Sequence, residues 1–111
     1  MKEDWSPFTK RVCTVIAAVP HGRVVTYGQA ARLAGNPKGA RQVARILHTL
    51  SDSQKLPWHR VLSSGGYIRT PYPSNEIQRS ELLSEGVVFV SEFKVALDCC
   101  QWDAPYNRFF S

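Results

Sequence analysis

The chain has 111 residues, 43% hydrophobic and 21% charged, the make-up of one globular domain over residues 1–111 with a core of its own. No apolar run approaches the roughly 18–20 residues a spanning helix needs, so no membrane association is expected. The net charge of +5 is uneven: nine Lys or Arg and a single acid, Asp52, lie between Lys10 and Arg60, which points to a polyanionic partner.

In chain order, the first five residues lack the charged-then-apolar layout of a signal peptide, so an intracellular location is expected, cytoplasm or nucleus according to the organism. Ser6-Pro7 predicts a helix start, with Ser6 as N-cap and Pro7 at the first helical position. Phe8, Val12, Val15, Ile16 and Val19 recur at helical spacing until Pro20-His21-Gly22 stops the run. Thr26-Tyr27-Gly28-Gln29 reads as a capping box, in which Gln29 reaches back to the Thr26 backbone, opening a short helix that ends at Leu33 or Ala34. Gly35-Asn36-Pro37 breaks it. A second helix is predicted over about Lys38–Leu50, with Val43, Ile46, Leu47 and Leu50 facing the core and Arg41, Arg45 and His48 elsewhere. Two short helices joined by a tight turn make a helix-turn-helix, and Gly39-Ala40 leaves room for a DNA backbone beside the second.

Farther on, Val61-Leu62 and Tyr67-Ile68 flank Ser63-Ser64-Gly65-Gly66, a predicted hairpin. Pro71-Tyr72-Pro73-Ser74 is a rigid loop, followed by a helix over about Asn75–Leu83 that Glu85-Gly86 terminates. Val87–Val90 and Lys94–Leu97 form a second hairpin or a pair of short strands. Cys99-Cys100 and the aromatics Trp102, Tyr106, Phe109 and Phe110 follow, the aromatics expected to pack on the domain. The cysteines, with Cys13, are odd in number and two are adjacent, which favours free thiols over a disulfide framework. No Cys/His pair has zinc-finger spacing, so neither metal nor other cofactor is expected.

Leu56-Pro57-Trp58-His59-Arg60-Val61 places an indole, an imidazole and a guanidinium on consecutive positions behind a proline. Alone, the hexapeptide also fits an ordinary core Trp with two surface neighbours. It resembles, however, the Pro-Cys-His-Arg-Val active-site segment of the O6-alkylguanine-DNA alkyltransferases. Tyr27-Gly28 and Ala40-Arg41-Gln42-Val43 resemble that family's helix-turn-helix, in the family's order and with the family's seventeen-residue gap from Arg41 to Trp58. The cysteine position holds Trp58, whose indole has no thiolate and no basic lone pair, so it is no nucleophile. With Trp there, the chain looks like the alkyltransferase-like branch, which binds the lesion without repairing it.

The resemblance covers about Phe8–Leu97 and implies a mainly α fold with short β-hairpins, an alkyltransferase C-terminal-domain-like winged helix-turn-helix without the family's separate N-terminal domain. It implies a non-enzymatic monomer that flips O6-alkylguanine out of double-stranded DNA and marks it for nucleotide excision repair proteins. By this resemblance Tyr27, Ala40, Arg41, Gln42, Arg45 and Arg60 contact DNA, with Arg41 filling the vacated stack and Tyr27 helping to rotate the phosphate. Lys10, Arg11 and Lys38 add phosphate contacts suggested by charge. The implied lesion pocket is Tyr27, Leu47, Trp58, Val61, Arg69, Pro71 and Tyr72, with Arg69 over the purine. His59 and Glu85 keep a pair that supports the loop, or Glu85 is a solvated helix end. Leu50 stands where the transferases keep a bracing asparagine. The competing readings are a helix-turn-helix transcription regulator indifferent to damage, and a transferase using Cys99 or Cys100.

Overall fold

A computed structural model of the chain describes residues 5–104. Three helices come first: α1 (Pro7–Ala18), α2 (Tyr27–Leu33) and α3 (Ala40–Gln54). α1 starts as its sequence predicts, the Ser6 hydroxyl accepting the Thr9 backbone N–H at 3.1 Å with proline in the first turn. α2 opens on half of the expected box. Thr26 Oγ1 accepts the Gln29 N–H at 3.1 Å, but the Gln29 amide turns to the C-terminal segment, donating to the Trp102 carbonyl at 2.7 Å and accepting from Gln101 at 2.9 Å. A partner 73 residues away outcompetes the local one. α3 runs four residues past the predicted end, with Val43 and Leu47 buried and Ile46 and Leu50 half-buried. The small residue at its start serves packing: a Cβ on Gly39 would stand 2.7 Å from the Phe8 ring of α1.

Between α1 and α2, Val25–Thr26 forms β1, which pairs in parallel with β2 (Val61–Leu62). The predicted first hairpin is reduced to one antiparallel bridge, Ser63 to Tyr67, around a 3-10 turn over Ser64–Gly66. Gly66 has φ +91°, and a Cβ there would meet the Val95 carbonyl at 2.7 Å, so this turn lies tight on the last sheet. α4 (Ser74–Ser84) precedes an antiparallel pair, β3 (Phe89–Ser91) and β4 (Lys94–Val95), as expected, and a short α5 (Leu97–Cys100) that the sequence reading did not include. Trp102 is half-buried against the first core, while Tyr106, Phe109 and Phe110 lie outside the described residues.

The core has two apolar clusters. The first joins α1, α2 and α3 through Val12, Val15, Ile16, Ala30, Val43 and Leu47. The second gathers Leu62, Ile68, Leu82, Val87, Val95 and Cys100 around α4 and the last sheet. Successive strand residues point to opposite faces, so the β1–β2 pair serves both: Val25 and Val61 enter the first cluster, and Leu62, with Val24 just before β1, the second. Among the described residues no helix is long and apolar enough to cross a membrane, and no group of three or more His, Cys, Asp or Glu is placed to hold a metal ion.

Candidate nucleic-acid interface

Leu56, buried in the first cluster, anchors the chain as it leaves α3 and enters a 3-10 turn over Trp58–Arg60. The Arg60 N–H closes that turn on the Pro57 carbonyl at 3.0 Å. Three residues per turn spread the side chains about 120° apart; the Trp58 indole lines the cleft and meets the His59 ring edge-on, 6.5 Å between ring centres.

His59 and Arg60 converge on Glu85 at the end of α4. His59 Nε2 lies 2.6 Å from Glu85 Oε2, and Arg60 donates from Nε at 2.9 Å and from Nη2 at 2.8 Å. The Gly22 backbone N–H adds a bond to Oε1 at 2.9 Å, and Arg60 Nη1 donates to the Val19 carbonyl at 3.0 Å. The Glu85 side chain is 6% exposed. Burial alone would push its carboxyl up, but the hydrogen bonds from Arg60, Gly22 and His59 outweigh burial and hold it at about 2, against an ordinary 4.5. Ionised Glu85 only accepts, so His59 Nε2 carries the shared proton. The His59–Glu85 pair therefore exists as a buried support, and Glu85 is not a solvated helix end. Arg60, expected on the DNA, is instead bound inside this network.

A residue the sequence reading missed holds the same turn from the other direction. Gln78 of α4 is 1% exposed; its Nε2 donates to the carbonyls of His59 at 3.2 Å and Val61 at 3.0 Å, and its Oε1 accepts from the Thr70 hydroxyl at 2.9 Å. Only its polar identity in an apolar-spaced helix position could have signalled this, and a lone Gln is a weak signal.

Trp58 is half-buried and forms one wall of an open cleft of about 420 Å³, within the roughly 300–1,000 Å³ of small-ligand sites. Of the predicted pocket, Tyr27, Leu47, Trp58 and Pro71 line it. Three residues do not. Val61 is 1% exposed, taken into the core by its strand pairing. Arg69 sits over the Tyr67 ring, 4.7 Å from its centre, and Tyr72 is 79% exposed outside the cleft. Lining residues missed by the sequence reading are Ala44, His48, Ser51 and Asp52 on α3, and Thr70 and Ser74 across from it. Burial raises the pKa of Tyr27, keeping its phenol protonated and able to donate.

Residues 44, 48, 51 and 52 repeat at helical spacing, and Arg41 stands three residues before Ala44 on that face. Arg41 is exposed and makes no hydrogen bond or ion pair among the described residues. Gln42 and Arg45 are exposed beside it, Ala40 is half-buried, and Lys10, Arg11 and Lys38 are exposed. Cys99 and Cys100 lie in α5 and line no part of the cleft. Their sulfurs are 3.5 Å apart, and the hydrogen bond to Cys100 pushes the Cys99 thiol up, away from thiolate. A second cleft of about 600 Å³, between α2 and the C-terminal segment, contains none of the predicted site residues.

An α3 whose exposed face leads from an arginine to an aromatic-walled cleft, on a three-helix core joined to a small sheet, defines a DNA-binding domain of a known kind. Residues 7–87 match the family described as 6-O-methylguanine DNA methyltransferase, DNA binding domain, and the chain belongs to that family. A relative named DNA base-flipping protein, from Escherichia coli strain K12, is 42% identical over 102 residues, covering 92% of this chain and 78% of its own. Alkyltransferase-like protein 1 of Schizosaccharomyces pombe is 35% identical over 101 residues, covering 86% and 94%. The crystal structure of that yeast protein in complex with damaged DNA containing O6-carboxymethylguanine matches with a TM-score of 0.79 at 34% identity, over 94% of this chain and 98% of that one. The Mycobacterium tuberculosis O6-methylguanine methyltransferase matches with a TM-score of 0.58 at 26% identity, over 73% and 49%. The mainly helical fold with short strands is thus that of the alkyltransferase-like proteins.

Proposed function

We propose that this chain recognises O6-alkylguanine in duplex DNA by drawing the swung-out nucleotide into the cleft beside Trp58, keeps the alkyl group intact, and so marks the site for nucleotide excision repair. The supporting observation is the half-buried Trp58 walling a cleft that α3 connects to an exposed Arg41, without a partner among the described residues. Extruding a base costs a few kcal/mol, less where an O6-alkyl group has already spoiled its pairing. Arg41 would offset part of that by filling the gap in the stack, and the Tyr27 phenol is available to the rotating phosphate. Stacking of the base on Trp58 is worth about 1–3 kcal/mol. Exposed Arg45, Gln42, Lys10 and Lys38 would hold the phosphates in a sequence-independent way.

No cysteine is among the residues lining the cleft, and the indole cannot accept an alkyl group as a thiolate does. The reading is therefore of a sensor and not a transferase, with Trp58 occupying the nucleophile's position. The test is binding to one arbitrary duplex with guanine or O6-methylguanine at its centre, followed by mass analysis of protein and DNA. Tighter binding to the modified duplex with the methyl group retained is expected. Equal affinity for both would favour a damage-blind regulator, and a methylated cysteine would make the protein a transferase.

A further inference from the structure

The basic stretch Lys10–Arg60 contains one acid, and the fold brings it to the cleft. Asp52 lines the cleft from the last turn of α3, exposed, with no hydrogen bond or ion pair at its carboxylate among the described residues. A helix disfavours a negative charge at its C-terminal end, so local structure gives no reason for an acid here. Among the described residues, no Lys or Arg lines the cleft. Arg69, beside the lining residue Thr70, rests on Tyr67; Arg60 is bound to Glu85; Lys55, three residues on, makes no ion pair with Asp52. Arg45 lies two helical turns back, about 10 Å along the axis. Among the described residues, Asp52 is thus the one fixed charge lining the cleft, with His48 one turn before it on the same helix.

We propose that Asp52 makes the cleft discriminate among O6-alkylguanines by the charge of the alkyl group: neutral and hydrogen-bond-donating groups are admitted, and anionic groups are disfavoured. This rests on the cleft being the lesion site. The discriminating ligand is the carboxymethyl adduct with which the yeast relative was crystallised, since its carboxylate would meet a second one here. Two like charges several Å apart, partly screened by water, weaken binding by a modest factor.

The test compares one duplex sequence carrying guanine, O6-methylguanine, O6-(2-hydroxyethyl)guanine or O6-carboxymethylguanine, by fluorescence anisotropy. The wild type should bind the carboxymethyl duplex about fivefold more weakly than the methyl one, about 1 kcal/mol. The hydroxyethyl duplex should bind at least as well as the methyl one. Asp52→Asn should bring the carboxymethyl-to-methyl ratio to within about twofold. Raising salt from 0.1 to 0.5 M should also narrow the ratio, because screening shortens to roughly 4 Å while the phosphate contribution cancels between duplexes. Equal binding of carboxymethyl and methyl duplexes by the wild type, or a ratio untouched by Asp52→Asn, overturns the charge filter while leaving lesion recognition standing. Failure of the methyl duplex to outbind plain guanine overturns both.

Discussion

The turn Trp58–Arg60 separates two regions built on opposite terms. On its inner side Glu85 collects hydrogen bonds from Gly22, His59 and Arg60, and Gln78 fastens two of the turn's neighbouring carbonyls. Buried side-chain nitrogen and oxygen atoms among the described residues all have partners. On its outer side Trp58 faces an open cleft, and Arg41 and Asp52 stand exposed without partners among the described residues. A group already satisfied within the protein has little to offer a ligand; one left open can spend its interactions on binding only if its backbone stays put. The inner network supplies that fixity, so the two regions should fail in different ways when mutated.

The largest effect should come from the inner region and fall on stability. Glu85→Gln leaves the Arg60 charge half-buried and should destabilise by about 3 kcal/mol, read as a lower urea midpoint. The pH dependence follows from the same group. Its folded pKa, about 2, lies below the ordinary 4.5, so its contribution is complete above about pH 4.5 and is lost as pH falls towards 2. Wild-type stability measured by urea titration should fall through that window, and the Glu85→Gln variant should fall less steeply; equal slopes would mean that Glu85 is not the group responsible.

Mutations in the outer region should fall on binding. Trp58→Ala should cost about 1–3 kcal/mol of affinity for the O6-methylguanine duplex, with much less effect on plain DNA. Arg41→Ala should weaken lesion binding by about 1–2 kcal/mol with the urea midpoint unchanged, since the side chain is exposed. An unaltered affinity would remove Arg41 from its assigned role. The smallest effect is expected of Trp58→Cys as a catalyst: with Leu50 still in place of the bracing asparagine, methyl transfer should stay near background. Rapid demethylation by that variant would show the brace to be dispensable.

Much of the helical frame can be read from local chemistry. Ser6-Pro7 starts α1, Thr26 starts α2 and Gly86 follows α4, because caps depend on neighbours a few residues away. The cleft was legible in part: Tyr27, Leu47, Trp58 and Pro71 are what the family resemblance implies, but His48, Ser51 and Asp52 join them only through the register of α3. What the sequence hid depends on partners far along the chain. β1 and β2 are two residues each, too short to show alternation, and their parallel pairing spans an intervening helix-turn-helix. Arg60 reads as a surface cation until Glu85 is brought to it, and Gln29 reads as a cap until Trp102 arrives. Arg69 likewise finds Tyr67 within its own turn instead of the cleft.

The four-residue parallel seam between β1 and β2 has a mechanical consequence. Neither lobe owns it, yet each depends on side chains it contributes, so the helical lobe cannot loosen without opening the lobe that carries α4. Melting should therefore proceed as one cooperative event, and a protease able to cut between Ser63 and Gly66 would dissolve both halves together, leaving no trimmed fragment able to bind DNA.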